Sequence, residues 1–204
     1  MAQDLEGVAD AYKAPLMDYE EAPVRAEGSA AVYVVAPTKF MILAFSTMGM
    51  YSLYWFYKNW SLQRHAYGLN IWPVPRAIFA VFFTHQLFRA IDTQAHERGY
   101  APGWNANGQA TLYVGLAVAS YITGRFNDAA NVGTALVLLS LGLALAGMAP
   151  LFAAQKVANL VAGDVEGRSN ASITPANVVV ILIGLLLWAT VGVGAFLDPA
   201  GTTP

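Results

Sequence analysis

The stretch VVVILIGLLLWATVGVGAFL, Val178 to Leu197, carries no charge from end to end. As a helix rising 1.5 Å per residue it reaches about 30 Å, the thickness of a bilayer's hydrocarbon core. It is apolar on every face, so it has no polar side to turn to water. Val132 to Phe152 repeats the pattern at similar length, and Phe40 to Tyr57 repeats it slightly shorter. Two weaker runs complete the set. Pro73 to Ala95 contains FAVFF but also Arg76, His85, Arg89 and Asp92, and Thr111 to Gly124 is too short to cross without help from its flanks. Only helices or closed barrels satisfy every backbone group in lipid, and long uninterrupted runs exclude the alternation of a barrel. The expected fold is all-α, a polytopic transmembrane helical bundle of five spans. The alternative is four spans with the second segment lying as an interfacial helix.

Composition agrees. Of 204 residues, 56% are hydrophobic and 12% charged, against roughly 25% charged in ordinary soluble domains. There are no cysteines and three histidines. The first rules out disulfides and thiolate chemistry, and the second leaves little for an all-protein metal site, so no metal or cofactor is expected. Residues 1–30 carry seven acids against Lys13 and Arg25, and the remainder six acids against nine bases. This organises the chain into an acidic, extended or disordered tail over 1–37, a helical domain over 38–198 and a short C-terminal tail over 199–204. Within the tail AAVYVV, Ala30 to Val35, is short and β-branched; it is expected to lie extended, along the membrane or against the protein. The start of the chain lacks a basic n-region and an apolar h-region, so the first span is expected to act as its own insertion signal. With five spans, seven Lys/Arg fall on the N-terminal side and Lys58, Arg64, Arg76 and Arg125 on the other. That count favours a cytoplasmic N-terminus. No clustered basic face suggests nucleic acid.

The block GMYSLYWFYKNW, Gly49 to Trp60, holds six aromatic rings. Trp and Tyr favour the headgroup level, where an apolar ring and a polar tip are both satisfied, and a lysine there snorkels to phosphate. Tyr51, Tyr54, Trp55, Tyr57, Lys58 and Trp60 therefore read as an aromatic interface or lipid contact. The rival reading is a wall lining a ligand or lipid groove. The same block, with Lys39-Phe40 before it, Pro75-Arg76-Ala77-Ile78-Phe79 after it and the later Gln155 and Asn159, resembles a bacterial family of uncharacterised multi-span inner-membrane proteins. The resemblance covers roughly residues 38–165. It implies a bacterial inner-membrane protein, with no activity attached.

Four polar residues of the second segment, His85, Arg89, Asp92 and His96, share one helical stripe. Charges at membrane depth face a bundle interior or a wet cavity. The stripe is either a proton, ion or headgroup path, or a self-neutralised packing seam in which Arg89 pairs with Asp92 and Asp92 with His96. Two histidines on one helix cannot clamp a haem iron from opposite sides. Arg125, Asn127, Asp128 and Asn131 read as a turn between spans three and four, with Asp128 as an N-cap. Small residues in span four (Ser140, Gly142, Gly147) and span five (Gly184, Gly192) suit close helix packing, within the chain or against a partner. Asn59-Trp60-Ser61 and Asn170-Ala171-Ser172 match glycosylation sequons, which carry no meaning in a bacterial protein. No nucleophile elbow, phosphate loop or carboxylates paired at catalytic spacing occur. The chain is therefore expected not to be an enzyme. It is expected to be an accessory or interaction subunit, contacting the bilayer and other membrane subunits through its tail or the small-residue faces. The alternative is a small channel, transporter or lipid-binding bundle built on the stripe.

Overall fold

The computed structural model describes residues 30–130 and 134–197. The described residues are helical without a strand: α1 Pro37–Ser46, α2 Tyr51–Tyr67, α3 Pro73–Ile78, α4 Ala80–Glu97, α5 Ala106–Ala130, α6 Thr134–Ala146, α7 Met148–Val161 and α8 Pro175–Leu197, with a 3-10 turn at Arg168–Asn170. The tail up to residue 29, residues 131–133 with Asn131 and the start of the Val132–Phe152 run, and the segment after residue 197 lie outside the described residues.

The core forms where α2, α4 and α7 pack around Trp55, Phe56, Trp60, Leu87, Phe88, Ile91 and Leu151, with Phe40 and Leu43 of α1 closing one side. Trp55 meets Phe56 and Phe88 edge-on, with ring centres 5.2 and 6.4 Å away. Two buried polar atoms in this region find no hydrogen-bond partner among the described residues, the Tyr51 hydroxyl and the Trp60 indole nitrogen. The Trp60 ring instead carries the Arg76 guanidinium over its face at 4.5 Å.

Phe40 to Tyr57 is not one helix. The chain turns back between α1 and α2, because Met48 and Gly49 both take left-handed backbone, φ 53° and 86°. Gly49 N–H bonds to Ala44 O at 2.8 Å and Met48 N–H to Phe45 O at 3.2 Å. That pair closes the end of α1 as a Schellman motif. Thr47 joins the two helices, donating from Oγ1 to Leu43 O at 2.7 Å and accepting there from Tyr51 N–H at 2.9 Å. Hydropathy cannot see this break, since every residue involved is uncharged.

Two stretches are long and apolar enough to cross a membrane, Ala135–Val161 and Pro175–Val193. Their most apolar windows are 22% and 6% buried in the protein. Within the first, the helix breaks at Gly147, where the Pro150 ring opposes the Ala146 carbonyl. The expected turn at Arg125–Asp128 is corrected: α5 continues to Ala130, so Asp128 sits inside a helix and is not an N-cap. α5 and α6 pack as an antiparallel pair, fastened by reciprocal bonds. Ser120 Oγ donates to Ser140 O at 2.8 Å, and Ser140 Oγ to Ser120 O at 2.9 Å.

The small residues divide. A Cβ on Gly184 would strike the Ser46 carbonyl and lie 2.9 Å from Thr47 Cα, so α8 crosses the α1–α2 turn at backbone contact. Trp188 adds a bond from Nε1 to Phe45 O at 2.9 Å and stacks on the Phe45 ring. Gly142 and Gly192 face open space.

Candidate functional site: a carboxamide clamp on an extended segment

Residues 30–36 pass through the helical core outside any helix or sheet, so their buried peptide groups must find other partners. Here side-chain carboxamides supply them. A carboxamide carries one carbonyl acceptor and an NH2 donor, so it can stand in for a peptide unit.

The pattern repeats at every second residue. Ala31 N–H donates to Gln94 Oε1 at 3.2 Å, and Ala31 O accepts from Gln63 Nε2 at 2.8 Å. Tyr33 N–H donates to Asn59 Oδ1 at 3.0 Å, and Tyr33 O accepts from Gln155 Nε2 at 2.9 Å. Val35 N–H donates to Asn159 Oδ1 at 3.3 Å, and Val35 O accepts from Asn159 Nδ2 at 3.0 Å. From the other edge Asn170 Nδ2 donates to Val34 O at 2.8 Å, while Asn170 O accepts from Ala36 N–H at 3.3 Å. Asn59, Gln155 and Asn159 are 0% exposed. Three helices supply these groups, with Asn59/Gln63 and Gln155/Asn159 each spaced i, i+4 on one face.

Four of these carboxamides have their orientation set by a further bond. The Trp55 indole can only donate, and it gives its N–H to Gln155 Oε1 at 2.5 Å. Gln155 must then turn Nε2 toward Tyr33 O and toward Asn159 Oδ1, the latter at 2.6 Å. That fixes Asn159, whose Nδ2 donates to Val35 O and, at 3.4 Å, to Val165 O. Asn59 is fixed by donating to Trp55 O at 2.9 Å, and Gln94 by donating to Ala90 O at 3.1 Å. Fully satisfied networks of this kind specify one arrangement, because any flip leaves buried groups unpaired.

The loop from Ala162 to Thr174 closes the clamp. Lys39, 4% exposed, donates from Nζ to Asn170 Oδ1 at 2.7 Å and to Ser172 O at 2.9 Å. Asp164 holds the loop's shape by accepting from Arg168 and Ser169 N–H, both at 2.9 Å. Those bonds, the one from Ser169 foremost, hold its carboxyl below the ordinary value of 3.8. The sign follows from linkage. The folded carboxyl titrates lower than the unfolded one, so its stabilisation is present above the ordinary value and fades as pH falls through the lowered one. Protection of the Ser169 amide from exchange, corrected for intrinsic rate, is expected to drop between about pH 5 and pH 2. In Asp164→Asn it is expected to be low already at the higher pH. Equal protection in both proteins at both pH values would contradict this.

The aromatic block divides. Tyr51, Trp55 and Trp60 are buried in the core and are corrected from interface residues to packing ones, and Trp55 also gives its indole N–H to Gln155. Tyr54 and Tyr57 are exposed, and Lys58 is partly exposed. The stripe divides as well. His85 Nε2 meets Thr111 Oγ1 of α5 at 3.1 Å, and Arg89 Nε donates to His85 O of its own turn at 3.3 Å. Asp92 Oδ1 accepts from Trp104 Nε1 at 2.8 Å and lies 3.7 Å from His96 Nδ1. His85 and Asp92 thus reach outside the stripe, to Thr111 and Trp104, while Arg89 and His96 contact His85 and Asp92 within it, so the expected Asp92–His96 pairing forms. Among the described residues no group of three or more His, Asp or Glu is placed to hold a metal ion. Attention to charges passes over Asn59, Gln63 and Gln94. The signal that marks them is the uncharged carboxamide recurring in apolar helices.

Compared with known proteins, the chain matches no family, no curated protein and no solved structure.

Proposed function

We propose that this chain is an integral membrane protein of the bacterial inner membrane, serving as a non-enzymatic accessory or interaction subunit of a membrane complex. One observation carries the membrane part. The most apolar window of Pro175–Val193 is 6% buried, while Leu182, Ile183, Leu185, Leu186 and Val193 are each exposed. A helix apolar all round belongs in a core or in lipid, and this one is not in the core. The interaction role is supported by where the polar groups go. The carboxamides close on the chain's own backbone, which leaves apolar helix surfaces to make outside contacts.

The depth of each element follows from contacts with the two long helices. Met148 is the central residue of Ala135–Val161, and Gly184 that of Pro175–Val193. Both touch the α1–α2 turn: Gly184 meets Ser46 and Thr47, and a Cβ on Gly49 would lie 3.5 Å from Met148. In this reading the turn sits at mid-membrane and α1–α2 is a re-entrant hairpin. Irregular backbone at that depth is tolerated where protein covers it, and Ser46, Thr47 and Gly49 are buried. α5, paired antiparallel with α6, then crosses beside it. Lys39, Lys156 and Arg168 gather on the side of the 162–174 loop, which fits a cytoplasmic N-terminus.

The chain has no cysteine, so single introduced cysteines report sidedness directly. Thr38→Cys and His65→Cys are expected to react with an impermeant maleimide from the same face of sealed vesicles. Reaction from opposite faces would make Phe40–Tyr57 a true crossing and end the re-entrant reading. The subunit role is tested by native mass after mild-detergent extraction from the source membrane, with recovery in a larger complex at fixed stoichiometry expected. Recovery as a lone chain would sink it.

A second reading, a lipid-binding bundle, rests on the groove between α1 and α8. Its volume is about 540 Å³, and Met41, Ile42, Phe45, Ser46, Leu185 and Trp188 line it. On that reading Leu185→Trp, which fills the groove, reduces retained lipid without lowering thermal stability; a loss of expression alone favours a packing role for the groove.

A further inference from the structure

We propose that the carboxamide clamp is a main-chain-reading peptide site, filled here by residues 30–36 and able to take an extended segment of another chain in their place. The clamp takes hold of both peptide groups of Ala31, Tyr33 and Val35. None of those six bonds involves a side chain of the held segment. This is the logic of strand addition, with main-chain bonds giving affinity and alternate pockets giving selectivity, carried out by helices instead of a sheet edge.

The pockets define the ligand. Ala31, Val32 and Val35 are buried, so the matching segment is uncharged, extended, and small or β-branched at those positions. Tyr33 is the one side chain read by a polar group, its hydroxyl accepting from Asn170 Nδ2 at 3.0 Å. The held segment precedes α1, and its departure breaks no helix. Gly167 leaves its backbone room to seat closely against the loop. The inference is independent of the membrane reading, since nothing in it depends on what surrounds α8.

The test uses the full-length chain in detergent micelles and two fluorescent peptides. One has the sequence AAVYVVAP of residues 30–37. The other is the same peptide N-methylated at the positions of Ala31, Tyr33 and Val35. Tyr33→Pro removes the N–H given to Asn59 and loosens the chain's own segment without touching the clamp. This variant is expected to bind the plain peptide saturably and at least about tenfold more tightly than the wild type, whose tethered segment competes. The methylated peptide is expected to bind at least about tenfold more weakly than the plain one. A Tyr33→Pro protein with wild-type helicity and elution that binds neither peptide, or both alike, overturns the proposal. Should that variant fail to fold, hydrogen exchange of the wild type decides. Amides of residues 31, 33 and 35 that open at least about tenfold more often than buried amides of α2 and α4 support a separable segment. Opening only with global unfolding makes the segment a fixed part of the core and overturns the proposal.

Discussion

Asn159→Leu is expected to destabilise the protein by about 2–6 kcal/mol, the cost of two orphaned buried peptide groups, although leucine is similar in size and suits an apolar core. Asn159 is the one residue that serves both peptide groups of its partner, Val35 N–H and Val35 O. Leucine leaves both buried without a partner, and each orphaned group costs about 1–3 kcal/mol. It also removes an acceptor from Gln155 Nε2, but that nitrogen still reaches Tyr33 O, so the further loss is small. Gln63→Leu sets the scale. Gln63 serves Ala31 O alone, and about 1–3 kcal/mol is expected there. Denaturation midpoints of both variants in one detergent check the ordering. An Asn159→Leu effect no larger than that of Gln63→Leu would mean that water reaches Val35 and that the clamp is not sealed.

The contrast between these residues and the charged stripe shows what could be read from the chain and what could not. Val178–Leu197 and Val132–Phe152 are long, uniform and apolar, and they lie largely within helices that the structure also shows, because a span is a property of composition summed over many residues. The Met48–Gly49 reversal depends on two dihedral angles, and no hydropathy sum records them. A Ser46-Thr47-x-Gly49 sequence inside an apolar run was the available hint, as hydroxyls that can cap and a glycine that can turn. Trp55 and Trp60 were ambiguous in a different way. An aromatic ring beside Lys58 suits a headgroup layer and a helix core equally well. For Trp55 the settling contacts are Phe88 of α4 and Gln155 of α7, far away in sequence, and for Trp60 the Arg76 guanidinium of α3. The clamp was the least legible part. Its residues sit on three helices and a loop, and they become a site only when residues 30–36 are laid between them. Their local trace is nonetheless real: Asn59 and Gln63, and again Gln155 and Asn159, fall four apart in helices with few other reasons to carry a carboxamide. Polar groups that an apolar helix retains must be paired inside.

Gly167→Ala is expected to cost about 2–5 kcal/mol, backbone strain and overpacking together, and Gly163→Ala in the same loop separates the two causes. Both glycines have left-handed backbone, φ 64° and 73°, so alanine at either position incurs about 1–2 kcal/mol of conformational strain. Only at Gly167 is there a collision as well. A Cβ there would lie 2.5 Å from Val35 C and from Ala36 N, and 2.6 Å from Val35 O, whereas nothing lies within 4 Å at Gly163. The obstructing atoms are backbone that Asn159 and Asn170 hold in place. They cannot swing aside as a flexible side chain would, and forced overpacking adds about 1–3 kcal/mol. The excess of Gly167→Ala over Gly163→Ala therefore measures how firmly residues 35 and 36 are seated. It is expected to appear in the thermal midpoint and as faster exchange of the Val35 and Ala36 amides, with the α5–α6 amides unaffected. Equal losses from the two substitutions would show that the segment yields to a methyl group, and that the loop rests on it without gripping it.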